Sequence, residues 1–133
     1  MVRAFLDANV LFSAAYRPDA GIRRLWRITG VRLLTSAYAA EEARRNLDNA
    51  EQRVDLEALL ASLEIVGMPA DRRIPTARKL PDKDRPILLA AIEGRATHLL
   101  SGDVEHFGPY YGRTVEGVLI LPPADFLWII SRY

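Results

Sequence analysis

Short apolar runs alternate with helix-forming stretches along this chain, and that alternation constrains its fold more than any other feature. Val2 to Leu6 reads as a buried strand that stops at Asp7. Helix formers follow from Asn9 (Val10, Leu11, Phe12, Ala14, Ala15) until Arg17-Pro18-Asp19 breaks them. Ile22 to Thr29 predicts a second helix with Gly30 as its stop, and Val31 to Thr35 a second strand. Ser36 is placed to cap an Ala- and Glu-rich helix over 37–49. Leu56, Leu59, Leu60 and Leu63 form one apolar face on a helix over 54–63. Glu64 to Val66 is a short third strand, His98 to Leu100 a fourth and Val118 to Leu121 a fifth. A helix opens at Asp84 with Pro86 in its first turn, where a missing N–H costs little, and Gly94 closes it. A last helix is expected from about Ala124 to Ser131. Strands that alternate with helices imply a parallel sheet covered on both faces. Sheets of that kind place ligands at the carboxyl ends of their strands.

The chain has 133 residues, which fits one domain over 1–133. Half of the residues are hydrophobic and 26% are charged, a globular balance that excludes a disordered chain. There is no Cys, which excludes disulfides, thiolate zinc sites, Fe–S clusters and Cys nucleophiles. The first apolar run ends at Asp7, too early for a signal-peptide core. Val118 to Ile130 is interrupted by Pro122, Pro123 and Asp125 and is too short to span a bilayer. The expectation is a soluble cytoplasmic protein with no membrane contact. Net charge is only +1, but Lys79 and Lys83 are the sole lysines among 18 basic residues. The remainder are Arg, whose fork grips phosphate in two places.

Four acids fall where such a sheet would gather a site. Asp7 follows the first strand and Asp103 the fourth. Asp84 starts the helix that feeds the fourth strand, and Glu42 lies in the helix after the second. Each has a plainer role: Asp7 and Asp84 as helix caps, Glu42 as a solvated helix residue, Asp103 as a turn residue. Four converging carboxylates repel one another, and a divalent cation relieves that repulsion. An all-oxygen cluster suits Mg²⁺ or Mn²⁺ and not Zn²⁺.

The ordered set of motifs resembles the PIN-domain ribonucleases, the family that includes VapC-type toxins. Phe5-Leu6-Asp7-Ala8-Asn9-Val10-Leu11 is similar to the family's opening. Ser36 to Leu47 is similar to its second motif, with Glu42 six residues after the serine. Asp82-Lys83-Asp84-Arg85-Pro86 through Ala91 is similar to its third, and Leu99-Leu100-Ser101-Gly102-Asp103 to its fourth. Ile120 to Leu127 is similar to the closing strand and helix of stand-alone bacterial members. Two assignments stay open on the residues alone: Glu42 competes with Glu41, and Asp84 with Asp82. Ala8 departs from the family, where a polar residue is common.

The resemblance implies a three-layer α/β/α sandwich around a mainly parallel sheet of four to five strands. It implies hydrolysis of RNA phosphodiesters with one or two Mg²⁺ or Mn²⁺ ions. Asp7 and Asp103 would be direct ligands, Asp84 a ligand directly or through water, and Glu42 a ligand or the orienter of a water. Asn9 and Ser101 are expected to hydrogen-bond the ligands from behind. A homodimer and a cognate antitoxin are implied as partners. Arg23, Arg24 and Arg27 on one short helix, and Arg72, Arg73, Arg78, Lys79, Lys83 and Arg85 in or near a basic loop over 67–83, are candidate contacts to RNA phosphates. His98 and His106 are read as structural, and Tyr110 and Tyr111 as packing rather than base stacking.

Other classes fit less well. A haloacid-dehalogenase-like phosphatase needs an acid where Asn9 stands and another where Phe107 stands. A receiver domain needs paired acids before its acceptor Asp. No glycine fingerprint for a nucleotide cofactor follows the first strand. The non-enzymatic alternative is a PIN module that binds RNA or protein without cutting.

Overall fold

The computed structural model of the protein describes residues 1–132, so residue 133 of the expected domain lies outside the described residues. The chain runs β1 (Val2–Leu6), α1 (Ala8–Tyr16), a 3-10 segment (Gly21–Arg27), β2 (Val31–Ser36), α2 (Ala37–Asn46), α3 (Ala50–Leu60) and β3 (Glu64–Val66). It continues with α4 (Arg85–Glu93), β4 (His98–Leu100), β5 (Thr114–Val115), β6 (Val118–Leu121) and α5 (Pro123–Ile130).

The six strands form one sheet in the order β3-β2-β1-β4-β6-β5. All neighbours are parallel except the β5–β6 pair. Ala4, Phe5 and Leu6 are consecutive in β1 and each is 0% exposed. Consecutive burial, rather than alternation, marks a strand covered on both faces. Leu34, Leu99, Leu100 and Ile120 extend that core across the sheet, and helices complete the expected α/β/α sandwich.

The sheet exceeds the expected four to five strands by β5. Its two residues turn into β6 through Glu116 and Gly117, with φ of 46° and 87°. Two successive left-handed residues make a tight hairpin whose twist matches the strands it joins. Two-residue strands carry no apolar pattern, which is why β5 is silent in the sequence. The segment after Gly21 is a 3-10 helix, where a helix over 22–29 was expected.

The predicted helix over 37–49 stops at Asn46, and a new helix starts at Ala50. Asn49 caps α3 by accepting from the Gln52 N–H at 2.8 Å. Asn49→Ala is expected to cost about 1 kcal/mol, read as a drop of roughly 3–5 °C in melting temperature.

The chain builds β1 to β3 outward in one direction, then crosses back so that β4 pairs with the other side of β1. A crevice opens at such a reversal, outside the carboxyl ends of the two strands.

Candidate active site

Asp7 sits at that crevice and is fixed from three directions. Its N–H donates to the Leu100 carbonyl at 3.0 Å, which continues the β1–β4 ladder. Its own carbonyl accepts from Val10 and Leu11 and so starts α1. Its Oδ1 accepts from the Ala8 N–H at 2.7 Å. Its Oδ2 accepts from the Ser101 hydroxyl at 2.7 Å and from Asn9 Nδ2 at 3.0 Å. The side chain is thus held in one orientation while being only 3% exposed.

Ser101 and Asn9 tie β1 to the loop after β4. Ser101 Oγ accepts from the Asp103 N–H at 3.1 Å, and Asn9 Oδ1 accepts from the Gly102 N–H at 2.7 Å. A Cβ at position 102 would stand 3.3 Å from Asn9 Oδ1, so glycine permits this close crossing. Tyr111 adds a third tie, its hydroxyl donating to the Ser101 carbonyl at 2.6 Å.

Asp84 is positioned from α2. The Tyr38 hydroxyl donates to the Lys83 carbonyl at 2.7 Å, and the Asp84 N–H donates to Pro81 at 2.9 Å. Asp84 precedes α4, yet its carboxylate makes no capping bond to it. The plainer reading of Asp84 as a cap therefore finds no bond to support it, and the carboxylate turns to the crevice instead.

A cavity of about 780 Å³ is lined by Asp7, Asn9, Glu42, Asp84 and Asp103, together with Arg45 and Lys83. Glu41, by contrast, is exposed and pairs with Arg44 at 3.4 Å. Asp82 is also exposed and pairs with Arg85 at 2.8 Å. Neither lines the cavity.

The charges register one another. Burial, with the Asp84 and Glu42 carboxylates nearby, pushes the Asp7 carboxyl up to about 6, against the pull of its hydrogen bonds from Ser101 and Ala8. Burial also raises Asp84, with Asp103 and Glu42 adding to it and His106 and Lys83 opposing. A folded pKa above the ordinary 3.8 means the folded chain binds this proton more tightly than the unfolded chain. Stability is therefore lost as pH rises from about 4 through 6, by roughly 3 kcal/mol in total. Glu57, Glu64 and Glu116 are lowered by arginines, so their contribution has the opposite sign and is lost as pH falls. Thermal melts in EDTA are expected to show a larger fall between about pH 4 and 6 in wild type than in Asp7→Asn, where the raised Asp84 carboxyl still contributes. Saturating Mn²⁺ at pH 7 is expected to raise the melting point of wild type alone.

His106 joins this group without having been expected there. Its Nδ1 lies 2.9 Å from Asp103 Oδ2 and 3.1 Å from Asp84 Oδ2. A ring N–H satisfies one of these oxygens, and the aligned bond goes to Asp103. Asp84 Oδ2 is left buried with no hydrogen-bond donor. The signal was present in the sequence, because His106 stands three residues after Asp103 in one turn, where its N–H donates to Asp103 Oδ1 at 3.1 Å. Asp84, Asp103 and His106 bring one ligand atom each within 4.8 Å of one another.

Hard oxygen donors, a carboxylate oxygen buried without a partner, and two carboxyls raised by burial among other acids together fit a divalent cation. Asp84, Asp103 and His106 offer the grouped ligand atoms, and Asp7 and Glu42 line the same cavity as the two acids.

Most of the candidate RNA contacts lie elsewhere. Arg23 is spent on the Ala14 carbonyl at 2.6 Å and Asp55 at 3.0 Å. Arg72 pairs with Glu116, and Arg85 with Asp71 and Asp82. Arg24 and Arg27 remain on the 3-10 segment, and Arg73 is exposed in the loop. Arg78 and Lys79 line a separate cavity. Of the basic residues singled out, only Lys83 borders the acids, joined by Arg45. Tyr110 is buried, as expected for packing. His98 is half-buried, bonds Thr97 Oγ1 at 2.7 Å and meets the Phe126 ring edge-on at 5.0 Å.

The strand order and the crevice define a PIN-like α/β fold. Solved structures carry that conclusion. VapBC2 from Rickettsia felis, bound to a DNA fragment from its promoter, aligns with a TM-score of 0.69 at 14% identity, over 91% of this chain and 98% of that one. VapBC-1 from nontypeable Haemophilus influenzae gives 0.60 at 16% identity, over 92% and 99%. FitAcB from Neisseria gonorrhoeae gives 0.54 at 19% identity, over 91% and 98%. No protein-family model matches the sequence, and no curated protein matches it. Identities this low establish a shared fold.

Proposed function

We propose that this chain is a Mg²⁺- or Mn²⁺-dependent endoribonuclease and the toxin of a toxin–antitoxin pair. What carries the reading is the convergence of four carboxylates, from four separate stretches of chain, on one cavity at the sheet's reversal point. The solved VapBC and FitAcB relatives in fold support the toxin role and an antitoxin partner. The proposal takes residues 1–133 as a single PIN domain that pairs as a homodimer and works in the cytoplasm. Among the described residues no helix is long and apolar enough to cross a membrane.

Asp7 and Asp103 act as direct ligands, and Asp84 as a ligand directly or through water. Glu42, reaching in from α2, binds the ion or orients the attacking water. When bound, the ion supplies a nucleophile at neutral pH and neutralises charge on the phosphate oxygens. Ser101 and Asn9 hold Asp7 in its ligating orientation, a role whose loss costs roughly 10–100-fold in metal affinity. Lys83 and Arg45 flank the acids and meet the phosphates on either side of the scissile one.

The test is incubation of labelled structured RNA with the purified protein in Mn²⁺ or in EDTA. Cleavage with Mn²⁺ alone is expected. RNA that is bound and left intact in both would favour the non-cutting module.

A further inference from the structure

A second cavity of about 430 Å³ is lined by His106, whose Nδ1 lies 3.1 Å from Asp84 and 2.9 Å from Asp103. Arg78, Lys79 and Arg113 line it. Elsewhere several arginines are held by carboxylates: Arg3 by Glu64 at 3.0 Å, Arg23 by Asp55 at 3.0 Å, Arg44 by Glu57 at 2.7 Å, Arg72 by Glu116 at 2.6 Å and Arg85 by Asp71 at 2.8 Å. Arg78, Lys79 and Arg113 have no carboxylate within ion-pair distance among the described residues. Three free cations facing one hollow are a charge that the fold itself does not use.

The loop holds two of these cations in place. Ile74, Ala77 and Leu80 are 3%, 5% and 6% exposed, three buried pegs at three-residue spacing. Arg78 and Lys79 lie between two pegs and are exposed. Arg113 is fixed by its N–H to the Tyr110 carbonyl at 2.9 Å and by its own carbonyl accepting from Ile120 at 3.1 Å. Pro75, Pro81 and Pro109 add apolar rings to the wall, and Thr76, Glu105 and His106 add polar groups. Cations beside flat apolar surfaces match a nucleotide, whose phosphate takes the charge and whose sugar and base lie on the rings.

We propose that this cavity binds a nucleotide flanking the scissile bond of single-stranded RNA, with Arg78, Lys79 and Arg113 on its phosphate. The proposal rests on the nuclease reading of the neighbouring acids. Glu105 stands on the same wall, 3.6 Å from His106 Nε2 and 85% exposed, so it opposes the phosphate. It leaves two net positive charges from the three cations and makes a second, opposite prediction.

The experiment measures fluorescence anisotropy of a labelled single-stranded RNA in EDTA over a salt series, where nothing is cut. R78A/K79A/R113A is compared with wild type and with R24A/R27A/R73A, whose arginines lie outside the cavity. Thermal melts confirm that each is folded. The cavity variant is expected to weaken binding and flatten the log–log salt slope by about 0.7, from one phosphate no longer neutralised. Glu105→Gln is expected to tighten binding. In Mn²⁺ the cavity variant is expected to raise KM with kcat within about twofold. An unchanged slope in the cavity variant, or no RNA binding by wild type, overturns the proposal. So does a cavity that takes an Asp- and Glu-rich peptide while RNA binding is unaffected by the triple substitution. Wild type that binds RNA with the cavity-dependent slope but never cleaves leaves the subsite standing and sinks the nuclease reading instead.

Discussion

Asp7→Asn is expected to lower Mn²⁺-dependent RNA cleavage by a factor of at least about 10³, which corresponds to roughly 4 kcal/mol of transition-state stabilisation. The substitution keeps the shape and removes the charge. It also sets an amide N–H₂ against donors, because both carboxylate oxygens accept hydrogen bonds, from Ala8 on one side and from Ser101 and Asn9 on the other. That conflict costs about 1–3 kcal/mol. Relief from burying a charge offsets it by a similar amount at neutral pH, so the variant stays folded. Cleavage assays beside thermal melts separate the two effects. Activity within tenfold of wild type in a folded Asp7→Asn variant would remove Asp7 from the site.

The second large effect comes from a matched pair. Asp84→Asn is expected to lose more than the roughly 10–100-fold that an outer hydrogen-bond partner contributes to metal affinity. Asp82→Asn is expected to stay within about threefold of wild type, since exposed ion pairs contribute little. The two residues are neighbours in sequence but differ in setting. The Asp84 side chain is 14% exposed and meets His106, whereas that of Asp82 is 93% exposed and meets only Arg85. Mn²⁺ titrations followed by calorimetry read the difference without relying on cleavage. Equal losses in both variants would mean that the effect comes from the charge of the segment and not from one ligand.

The sheet, its parallel sense and the position of the site were legible because they rest on strong local signals. The first apolar run stops at an acid, the others at polar or turn residues, and helix stops such as Gly94 are clear. Asp7 and Asp103 after strands and an acid before α4 follow from that reading, while the choice of Glu42 and of Asp84 stayed open. Less legible was everything decided by tertiary partners. Glu41 and Glu42 are equivalent to a pattern reader, and only the pairing of Glu41 with Arg44 shows which one faces outward. The arginines mislead for the same reason. Arg23, Arg72 and Arg85 look free in sequence, yet their carboxylate partners lie 32, 44 and 14 residues away. His106 was undervalued because a lone histidine carries little weight until its two carboxylate neighbours are seen.

The bond from Ser101 to Asp7 joins residues 94 positions apart. During synthesis Asp7 emerges first and waits for most of the chain to follow. Until β4 slots in beside β1, the first acid has no Ser101 hydroxyl, no Leu100 carbonyl and no Asp103 across from it. Ser101 in turn donates its N–H to Leu121 at 3.1 Å, so β6 must also be in place. A nascent chain that lacks β4 and β6 therefore carries Asp7 without the partners that orient it, and the site comes into being only late in synthesis.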